Sequence, residues 1–411
     1  MNATHFDAVI VGAGPAGSAA AILLARSGWK VALVEHQRFP RRKVCGECIA
    51  ASNLPLLEAL GIGSALNAAA GPELRQMVLM HGEHSIVADL PAAAHAGYRW
   101  GRALGRETLD ALLLEEARLC GAVILQPWAL RNIEGTAGDW RFEIRAVHAK
   151  TSATLRAPVA IDAHGSWESL PTERLHHRNH AGDLLAFKAN FCNVALDGGV
   201  LPVLMFDGGY GGMVVADQGV TTVACCLRRD RLETLRRASP GQGAGEVVEA
   251  MLKRECAGVR RALDAASRSG TWLAAGPLAP GVRIRPDDAI FRLGNAAGEA
   301  HPILGEGMSM ALQSAWLLCA HLTEAYGTAD RANVAQQRAV ASNYARDWHR
   351  RFRPRMRLAA AFAHVAMRPA SASPLMALTH TWPGLLTLGA RWGGKVRYLL
   401  EPQPTISECT L

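Results

Sequence analysis

The segment FDAVIVGAGPAG, residues 6–17, indicates the architecture of the N-terminal part of the chain. Its first six residues, apolar apart from Asp7, are of the kind found in buried parallel strands. The next six have the spacing G-x-G-x-x-G, and the ten after them predict an alanine- and leucine-rich helix. A second apolar strand at residues 30–34 ends at Glu35, 23 residues after Gly12. This order predicts a dinucleotide-binding βαβ unit, with an unoccupied βαβ unit as the alternative.

The glycines of this turn have separate roles. Gly12 permits the tight turn, Gly14 lets the backbone approach a pyrophosphate, and Gly17 lets the helix and strand pack closely. Ala16 lies in the turn just before the helix, whose N-terminus offers N–H groups and a partial positive charge to phosphates. Glu35 can accept hydrogen bonds from both ribose hydroxyls and would repel a 2′-phosphate. The unit therefore favours FAD or NAD over NADP.

Length, composition and cysteine pattern predict a globular protein of about two domains. The 411 residues are 49% hydrophobic and 19% charged, which excludes disordered and collagen-like chains. Nine scattered cysteines indicate reduced thiols rather than a disulfide scaffold. Residues 8–25 are apolar, but Asp7 precedes them and glycines interrupt them, which argues against a signal peptide or a spanning helix. We expect a cytoplasmic protein, with peripheral membrane association as a further expectation.

Basic charge is concentrated in the C-terminal fifth of the chain. Residues 331–411 contain 12 basic and 3 acidic side chains, whereas residues 1–330 contain 32 and 33. The densest run is Arg346, Arg350, Arg351, Arg353, Arg355 and Arg357, interleaved with Trp348 and Phe352. A solvated helix face is one interpretation, and contact with a membrane surface or an acidic carrier protein is the other. Nucleic acid is not expected as a partner, because no recognised nucleic-acid motif accompanies the run.

Three later segments resemble the p-hydroxybenzoate-hydroxylase-like flavoproteins. Residues 106–121 resemble the family's RxxLDxxL…A…G helix, residues 161–166 its "AxG" strand end, and residues 294–307 its GD motif and the following proline–glycine turn. With the N-terminal unit, these segments reach from residue 6 to about residue 320 in the family's order. The resemblance implies an α/β fold: a Rossmann-like FAD-binding domain of the GR2 type, an inserted antiparallel β-sheet substrate domain and a C-terminal helical segment.

The resemblance also implies FAD as the cofactor and a set of cofactor-binding residues. Glu35 would bind the adenosine ribose, Asn295 the ribityl chain or the pyrophosphate, and N–H groups around Gly307 the pyrimidine side of the flavin, where the reduced ring carries negative charge. His164 and Asn295 depart from the family, which usually has Asp at both positions. The full set is Gly12, Gly14, Ala16, Gly17, Glu35, Cys45, Arg106, Gly294, Asn295, Pro302, Gly305, Gly307 and Met308.

The chain divides by pattern into three parts. We expect the FAD-binding domain at residues 1–75, 98–180 and 275–330, the substrate-binding sheet at residues 76–97 and 181–274, and a basic helical segment at residues 331–411. A hairpin is expected at residues 77–90, antiparallel strands at 184–196 and 201–227, and a helix from Glu306 to about Tyr326. Helix breaks are expected at Pro354, Pro369, Pro374 and Pro383. Apolar runs at residues 358–366 and 385–388 predict a hydrophobic tunnel, or a surface that receives a lipid-like or carrier-bound substrate, with core packing as the alternative.

The segment RKVCGECI, residues 42–49, resembles both the K-x-C-G-x segment of geranylgeranyl-reductase-like enzymes and the GES segment of flavin-dependent halogenases. That analogy places the loop beside the flavin and makes Cys45 a candidate catalytic residue, with a packed thiol as the alternative. Cys45 and Cys48 also form a CxxC that can act as a redox pair. His301 is the second catalytic candidate, with a turn histidine as the alternative. No metal site is predicted.

Three reactions fit this resemblance to different degrees. Halogenase is disfavoured, because residues 209–215 lack the family's tryptophans and proline and no lysine occurs between Lys43 and Lys150. The favoured function is an FAD monooxygenase that acts through a flavin C4a-hydroperoxide on a hydrophobic aromatic or polyketide-type substrate, with NADH, NADPH or a partner reductase as the electron donor. The alternative is a reductase of C=C bonds in an isoprenoid or acyl chain. A non-catalytic flavoprotein is the third alternative. The His-Pro-Ile turn at residues 301–303, together with the space that Gly212 leaves, favours the monooxygenase, and the Cys-Gly-Glu loop favours the reductase.

Overall fold

The computed structural model describes residues 3–95, 97–166, 168, 170–171, 179–327 and 330–392. Its helices, in chain order, are α1 Pro15–Arg26, α2 Leu54–Ala59, α3 Gly63–Ala69, α4 Arg106–Leu119, α5 Arg229–Ala238, α6 Ala244–Glu255, α7 Ala257–Ala262, α8 Gly307–Tyr326, α9 Val334–Ala366, α10 Pro369–Thr381 and α11 Gly384–Trp392.

The strands are distributed over a cofactor sheet, a small meander, a large roof sheet and two short ladders. They are β1 Thr4–His5, β2 Ala8–Val11, β3 Val31–Val34, β4 Cys48–Ile49, β5 Gln76–His81, β6 His84–Asp89, β7 Arg102–Ala103, β8 Val123–Leu125, β9 Trp128–Thr136, β10 Asp139–Ala146, β11 Ser152–Ala157, β12 Val159–Asp162, β13 Leu184–Cys192, β14 Val200–Phe206, β15 Gly209–Val215, β16 Thr221–Arg228, β17 Ser267–Ala275, β18 Gly281–Val282, β19 Phe291–Arg292 and β20 Gly298–Glu299.

The cofactor sheet has the order β19-β12-β2-β3-β8, and all its neighbours are parallel. Its central strands are almost wholly apolar and buried, as expected for a sheet covered on both faces. Helices α1, α4 and α8 pack together beside it. Because the strands are parallel, the carboxyl ends of β2, β3 and β12 share one edge, which is where this class of sheet binds its ligands. The fold class expected from the sequence is confirmed.

The roof sheet has the order β17-β13-β16-β15-β14-β5-β6. The predicted hairpin is confirmed as β5 and β6, which pair His81 with His84 at the turn. The expectation of a purely antiparallel sheet is wrong at one place, since β5 and β14 run parallel. The two strands are far apart in sequence, so no short turn forces them to run in opposite directions. The domain limits themselves stay a prediction.

The C-terminal helices differ from the prediction at two prolines. Helix α9 continues through Pro354 and α10 continues through Pro374, although both were expected to be breaks. Pro369 begins α10, where a missing N–H costs nothing, and Pro383 lies between α10 and α11. Both internal prolines face solvent, so water can bind the carbonyl groups that lose their helical partner. Among the residues described, no helix is long and apolar enough to cross a membrane.

Candidate active site

One cavity of about 560 Å³ runs from the glycine turn after β2, beneath the roof sheet, to α9, α10 and α11. It is lined by all but one of the thirteen residues predicted to bind the cofactor, the exception being Gly17. Of the two catalytic candidates, Cys45 lines the cavity and His301 does not. The structure therefore brings the predicted set together, while the role of each residue stays a prediction.

The glycine turn is shaped to receive a ligand on one side only. A Cβ at Gly17 would lie 1.8 Å from the Gly12 carbonyl oxygen, so this glycine serves the packing of α1 against the turn. A Cβ at Gly14 would meet nothing nearer than the Arg106 side chain at 3.8 Å. Gly14 is also the N-cap of α1 and supplies no side chain to the free N–H groups. This open helix N-terminus fits an anionic diphosphate.

Glu35 follows β3 and is held as an anion at the same edge. Its Oε2 accepts a hydrogen bond of 3.0 Å from the Ala13 N–H, and its Oε1 one of 2.8 Å from the Gln37 N–H. Burial alone would raise the pKa of Glu35, but the contact with His36, the charge of Arg41 and these N–H groups lower it to about 2. The carboxylate is therefore fixed in orientation and suited to accept hydrogen bonds from a ribose.

Three cations converge on the middle of the cavity: Arg41, Lys43 and Arg106. Burial and the positive charges of Arg106 and Arg41 lower the pKa of Lys43 to about 8. Asp110 offsets part of this charge through a two-pronged ion pair with Arg106, at 2.7 and 2.8 Å. Such crowding of like charges is unfavourable in the apoprotein, and a diphosphate would relieve it. The residues present thus fit FAD.

The turn before α8 provides the other end of the cofactor cradle. Gly305 adopts a φ of +63°, which favours glycine, and a Cβ at Gly307 would meet no atom within 4 Å. The N-cap Glu306 does not cap α8, because its buried carboxylate forms an ion pair with Arg355 of α9. The first N–H groups of α8 are therefore left without a side-chain cap beside a cavity lined by Gly305, Gly307 and Met308.

Two polar contacts occupy the positions where the sequence departs from the family. Asn295 donates a hydrogen bond of 2.6 Å from its Nδ2 to the Ser166 hydroxyl, and both residues line the cavity. The His164 imidazole Nδ1 contacts Asp162, a buried carboxylate at the end of β12. A carboxylate is thus retained at this strand end, two residues before the histidine.

Cys45 lies in the loop that crosses the cavity. Its Sγ accepts a hydrogen bond of 3.3 Å from the Glu47 N–H, and it also interacts with Arg106. Burial alone would lower the pKa of Arg106, but Asp110 and, to a smaller extent, Cys45 raise it above its ordinary value. Cys45 and Cys48 are not joined to each other by a disulfide. The loop therefore presents a thiol, and not a disulfide, to the cavity.

His301 reaches the cavity only through its contact with Tyr210. Its Nδ1 lies 3.4 Å from the Tyr210 hydroxyl, which lines the cavity. Burial lowers the pKa of His301, and burial raises the pKa of Tyr210 well above its ordinary value. At neutral pH the pair is a phenol beside a neutral imidazole, which can hold or pass a proton.

A buried polar network that no sequence pattern had indicated lies behind the Cys45 loop. Glu47 forms an ion pair with Lys188 of β13, accepts a hydrogen bond from the Thr222 hydroxyl of β16, and accepts one of 2.9 Å from the Arg106 N–H. Lys188 is only 1% exposed. A glutamate between two cysteines was the available signal. Its partners come from distant strands, and no pattern in the sequence pointed to them.

The far half of the cavity is apolar. The roof sheet supplies side chains such as Leu79, Val203 and Met205, and the C-terminal helices supply Phe362 and Leu386. The roof sheet's two faces explain why Met205 lines the cavity while the next residue, Phe206, belongs to the core behind the sheet.

Gly212 also lines this part of the cavity. The space expected there is reduced, since a Cβ would lie 3.0 Å from the Pro202 carbonyl oxygen.

Residues 5–350 match the family model described as "FAD binding domain". The chain is 25% identical to conditioned medium factor receptor 1 of Dictyostelium discoideum over 354 residues, which is 81% of this chain and 66% of that protein. It is 25% identical to tryptophan 2-halogenase of Chondromyces crocatus over 357 residues, 80% of this chain and 63% of the halogenase. A shorter match of 67 residues, 16% of each chain, is 48% identical to menaquinone reductase of Mycolicibacterium smegmatis. The chain thus spans less than two thirds of the length of these relatives.

Solved structures share the fold at low sequence identity. The myxobacterial chondrochloren halogenase CndH superposes with a TM-score of 0.71 at 20% identity, covering 85% of this chain and 80% of its own. A geranylgeranyl bacteriochlorophyll reductase-like protein of Thermoplasma acidophilum gives 0.70 at 17%, covering 95% and 100%. PqsL of Pseudomonas aeruginosa, described as a "probable FAD-dependent monooxygenase", gives 0.68 at 16%, covering 92% and 100%. At these identities the likeness shows the fold alone.

Proposed function

Because the chain belongs to the FAD binding domain family, we propose that this oxidoreductase is a monooxygenase that hydroxylates a hydrophobic aromatic or polyketide-type substrate. The match confirms the resemblance inferred from the sequence. Bound FAD would supply the activation of O₂, with one oxygen atom going to the substrate, the other to water, and two electrons coming from an external donor.

The continuity of the cavity carries the proposal. The half beside Gly14, Glu35 and Lys43 is polar and fits the FAD diphosphate and ribose, whereas the half beneath the roof sheet is apolar. Apolar walls such as Leu79, Val203 and Phe362 suit an aromatic substrate and exclude water from the reacting centre.

Tyr210 and His301 give the apolar half a polar contact. The buried phenol of Tyr210 can bind a substrate hydroxyl, and His301 behind it can take up the proton. Loss of that proton makes an aromatic ring more electron-rich, which favours oxygen transfer to carbon. The pair therefore supports a hydroxylated aromatic substrate.

The monooxygenase proposal is tested by rapid mixing. The FAD-loaded protein is reduced without oxygen and then mixed with oxygenated buffer, with and without a hydrophobic alkylphenol, while absorbance is followed. We expect a near-ultraviolet transient before the oxidised flavin spectrum returns, and a hydroxylated product when the phenol is present. A single slow return of the oxidised spectrum with no product would contradict the monooxygenase. Tyr210→Phe should lower product yield and leave the transient in place.

The electron donor belongs to the same proposal. We expect NADH or NADPH to reduce the bound FAD, with a partner reductase as the alternative. His164 stands where the family usually has an aspartate, and its Nδ1 contacts Asp162. The choice of donor therefore has to be measured on this chain. Anaerobic mixing with each nucleotide distinguishes them by the rate at which the flavin absorbance bleaches.

A reductase of C=C bonds is the second candidate, and the position of the Cys45 thiol in the cavity favours it. In that reaction Cys45 would give a proton to one carbon of the double bond, while the reduced cofactor supplies the two electrons and the other hydrogen. The measurement is alkene reduction by Cys45→Ser, with Cys48→Ser as the matched control in the same loop. A large loss confined to Cys45→Ser supports the reductase, and a parent protein that reduces no alkene contradicts it.

A further inference from the structure

An exposed apolar patch lies at the end of the described chain. It consists of Leu378, Trp382, Leu385, Leu388 and Trp392, which are half of the ten large hydrophobic side chains exposed among the described residues. Trp382 is 63% exposed and Trp392 is 58% exposed. Single exposed apolar side chains are ordinary, but a cluster that includes two tryptophans marks an interaction surface.

The patch is also the mouth of the cavity. Leu385, Leu388 and Trp392 follow the spacing i, i+3, i+7 and so share one face of α11. The same three side chains line the cavity, which means that its apolar wall continues onto the surface. Helix α11 is held in place by the buried Leu386 and by a hydrogen bond of 2.7 Å from the Thr387 hydroxyl to the Asp89 carbonyl. A ligand that enters here passes over the side chains of Leu385, Leu388 and Trp392.

Positive charge flanks the mouth. Arg346, Arg350, Arg353 and Arg357 are exposed and recur every three or four residues, so they form one stripe along α9. Arg368 continues this charge at the start of α10. Residues 348–392 contain no aspartate or glutamate. Helices α10 and α11 therefore present tryptophan, leucine and arginine without acidic side chains of their own, and the exposed Asp89 of β6 lies beside α11.

We propose that this face, formed by α10, α11 and the arginine stripe of α9, docks on an anionic lipid bilayer with the cavity mouth in the interfacial layer. Leucine and tryptophan inserted among head groups and arginines attracted to anionic lipids are the features of a surface-bound helix. An acidic carrier protein would match the arginines but gives no reason for two exposed tryptophans beside an apolar mouth. That the substrate is a lipid-soluble molecule taken from the bilayer rests on the proposed function, whereas the docking rests on the surface alone.

Vesicle flotation tests the docking without any turnover, so its result is independent of the reaction. The full-length, FAD-loaded protein is mixed with vesicles of phosphatidylcholine alone or with phosphatidylglycerol added. We expect binding to the anionic vesicles, and a loss of at least about fivefold in Trp382→Ser/Trp392→Ser and in Arg353→Gln/Arg357→Gln. Leu119→Ser is the matched control, since Leu119 is 66% exposed on α4, and should bind as the parent does. The flavin spectrum reports that each variant is folded.

Three results would overturn the proposal. The first is a parent protein that stays with the soluble fraction, and the second is a tryptophan variant that floats as well as the parent. The third is a dimer in size-exclusion chromatography, or binding to an acidic carrier protein, in place of vesicle binding. Each would show that the apolar face is covered by something other than a bilayer.

Discussion

Gly14 and Gly17 stand three residues apart in one turn and are small for different reasons. A side chain at Gly17 would collide with the Gly12 carbonyl oxygen, which is backbone and cannot move aside. A side chain at Gly14 would extend into the cavity, where the nearest atom belongs to the Arg106 guanidinium. Gly14 is therefore small for the sake of the ligand, and Gly17 is small for the sake of the fold.

We expect Gly14→Ala to fold as the parent does but to bind FAD at least about tenfold more weakly, a loss of about 1.4 kcal/mol. Gly17→Ala should destabilise the apoprotein by about 1–3 kcal/mol or more, because the turn is overpacked. Urea unfolding of the apoprotein and titration with FAD separate the two effects. Unchanged FAD affinity in Gly14→Ala would place the diphosphate elsewhere.

Lys43 supplies a prediction about pH. In the apoprotein, burial and the charges of Arg106 and Arg41 bring its pKa down from 10.5 to about 8. An anionic diphosphate favours the charged ammonium and raises this pKa, so FAD binding should take up protons between pH 8 and pH 10.5. Titration calorimetry in buffers of different ionisation enthalpy measures the uptake.

The unfolded chain binds this proton up to pH 10.5 and the folded apoprotein only up to about pH 8. The free energy of unfolding of the apoprotein should therefore gain from this group as pH rises through that range. Lys43→Met should abolish both effects. A parent whose binding enthalpy is the same in every buffer near pH 9 would show that the ammonium does not meet the diphosphate.

At the scale of the element, helix α9 shows how packing outweighs a local signal. Its buried face includes Trp348, Phe352 and Met356, spaced four residues apart and packed into the main core. Pro354 lies on the opposite, exposed face. The burial of the apolar stripe keeps the helix continuous, although proline is among the strongest breakers in an isolated segment.

We expect Pro354→Ala to raise the free energy of unfolding by about 1–3 kcal/mol, because it restores one hydrogen bond to the Arg350 carbonyl group. Pro369→Ala is the matched control, since Pro369 occupies the first position of α10 and displaces no helical bond. Urea unfolding gives both values. A less stable Pro354→Ala would mean that the packing of α9 requires the bend that the proline produces.

At the scale of the whole molecule, Glu47 ties helix α4 to the roof sheet. Its carboxylate meets the start of α4 through the Arg106 N–H and meets the roof sheet through Lys188 and Thr222. All these groups are buried, and they stand behind the loop that carries Cys45. The position of the thiol in the cavity therefore depends on a buried ion pair.

Lys188→Met should lower the free energy of unfolding by about 3–5 kcal/mol, because it leaves the Glu47 carboxylate buried without its ammonium partner. Glu47→Gln/Lys188→Met should recover much of this loss, since no buried charge remains. Denaturant unfolding of the parent and both variants tests this. Arg118→Met, which removes an exposed ion pair with Glu115, is the control and should leave stability unchanged. A single Lys188 variant as stable as the parent would contradict the tie.

The local pattern of the sequence was sufficient for the cofactor half of the molecule. The turn at residues 12–17, Glu35 and the start of α8 are each specified by residues close together in the chain. Spacing pointed to the turn and to Glu35, and the resemblance of residues 294–307 pointed to the start of α8. The partners of distant groups required the folded chain: Lys188 lies 141 residues from Glu47, and His301 lies 91 residues from Tyr210. Such pairs depend on how distant segments of the chain pack together, and this packing leaves no periodic signal in the sequence. The cavity mouth at α11 also required the folded chain. Whether an apolar run lines a cavity or is exposed to solvent depends on which other elements pack against it.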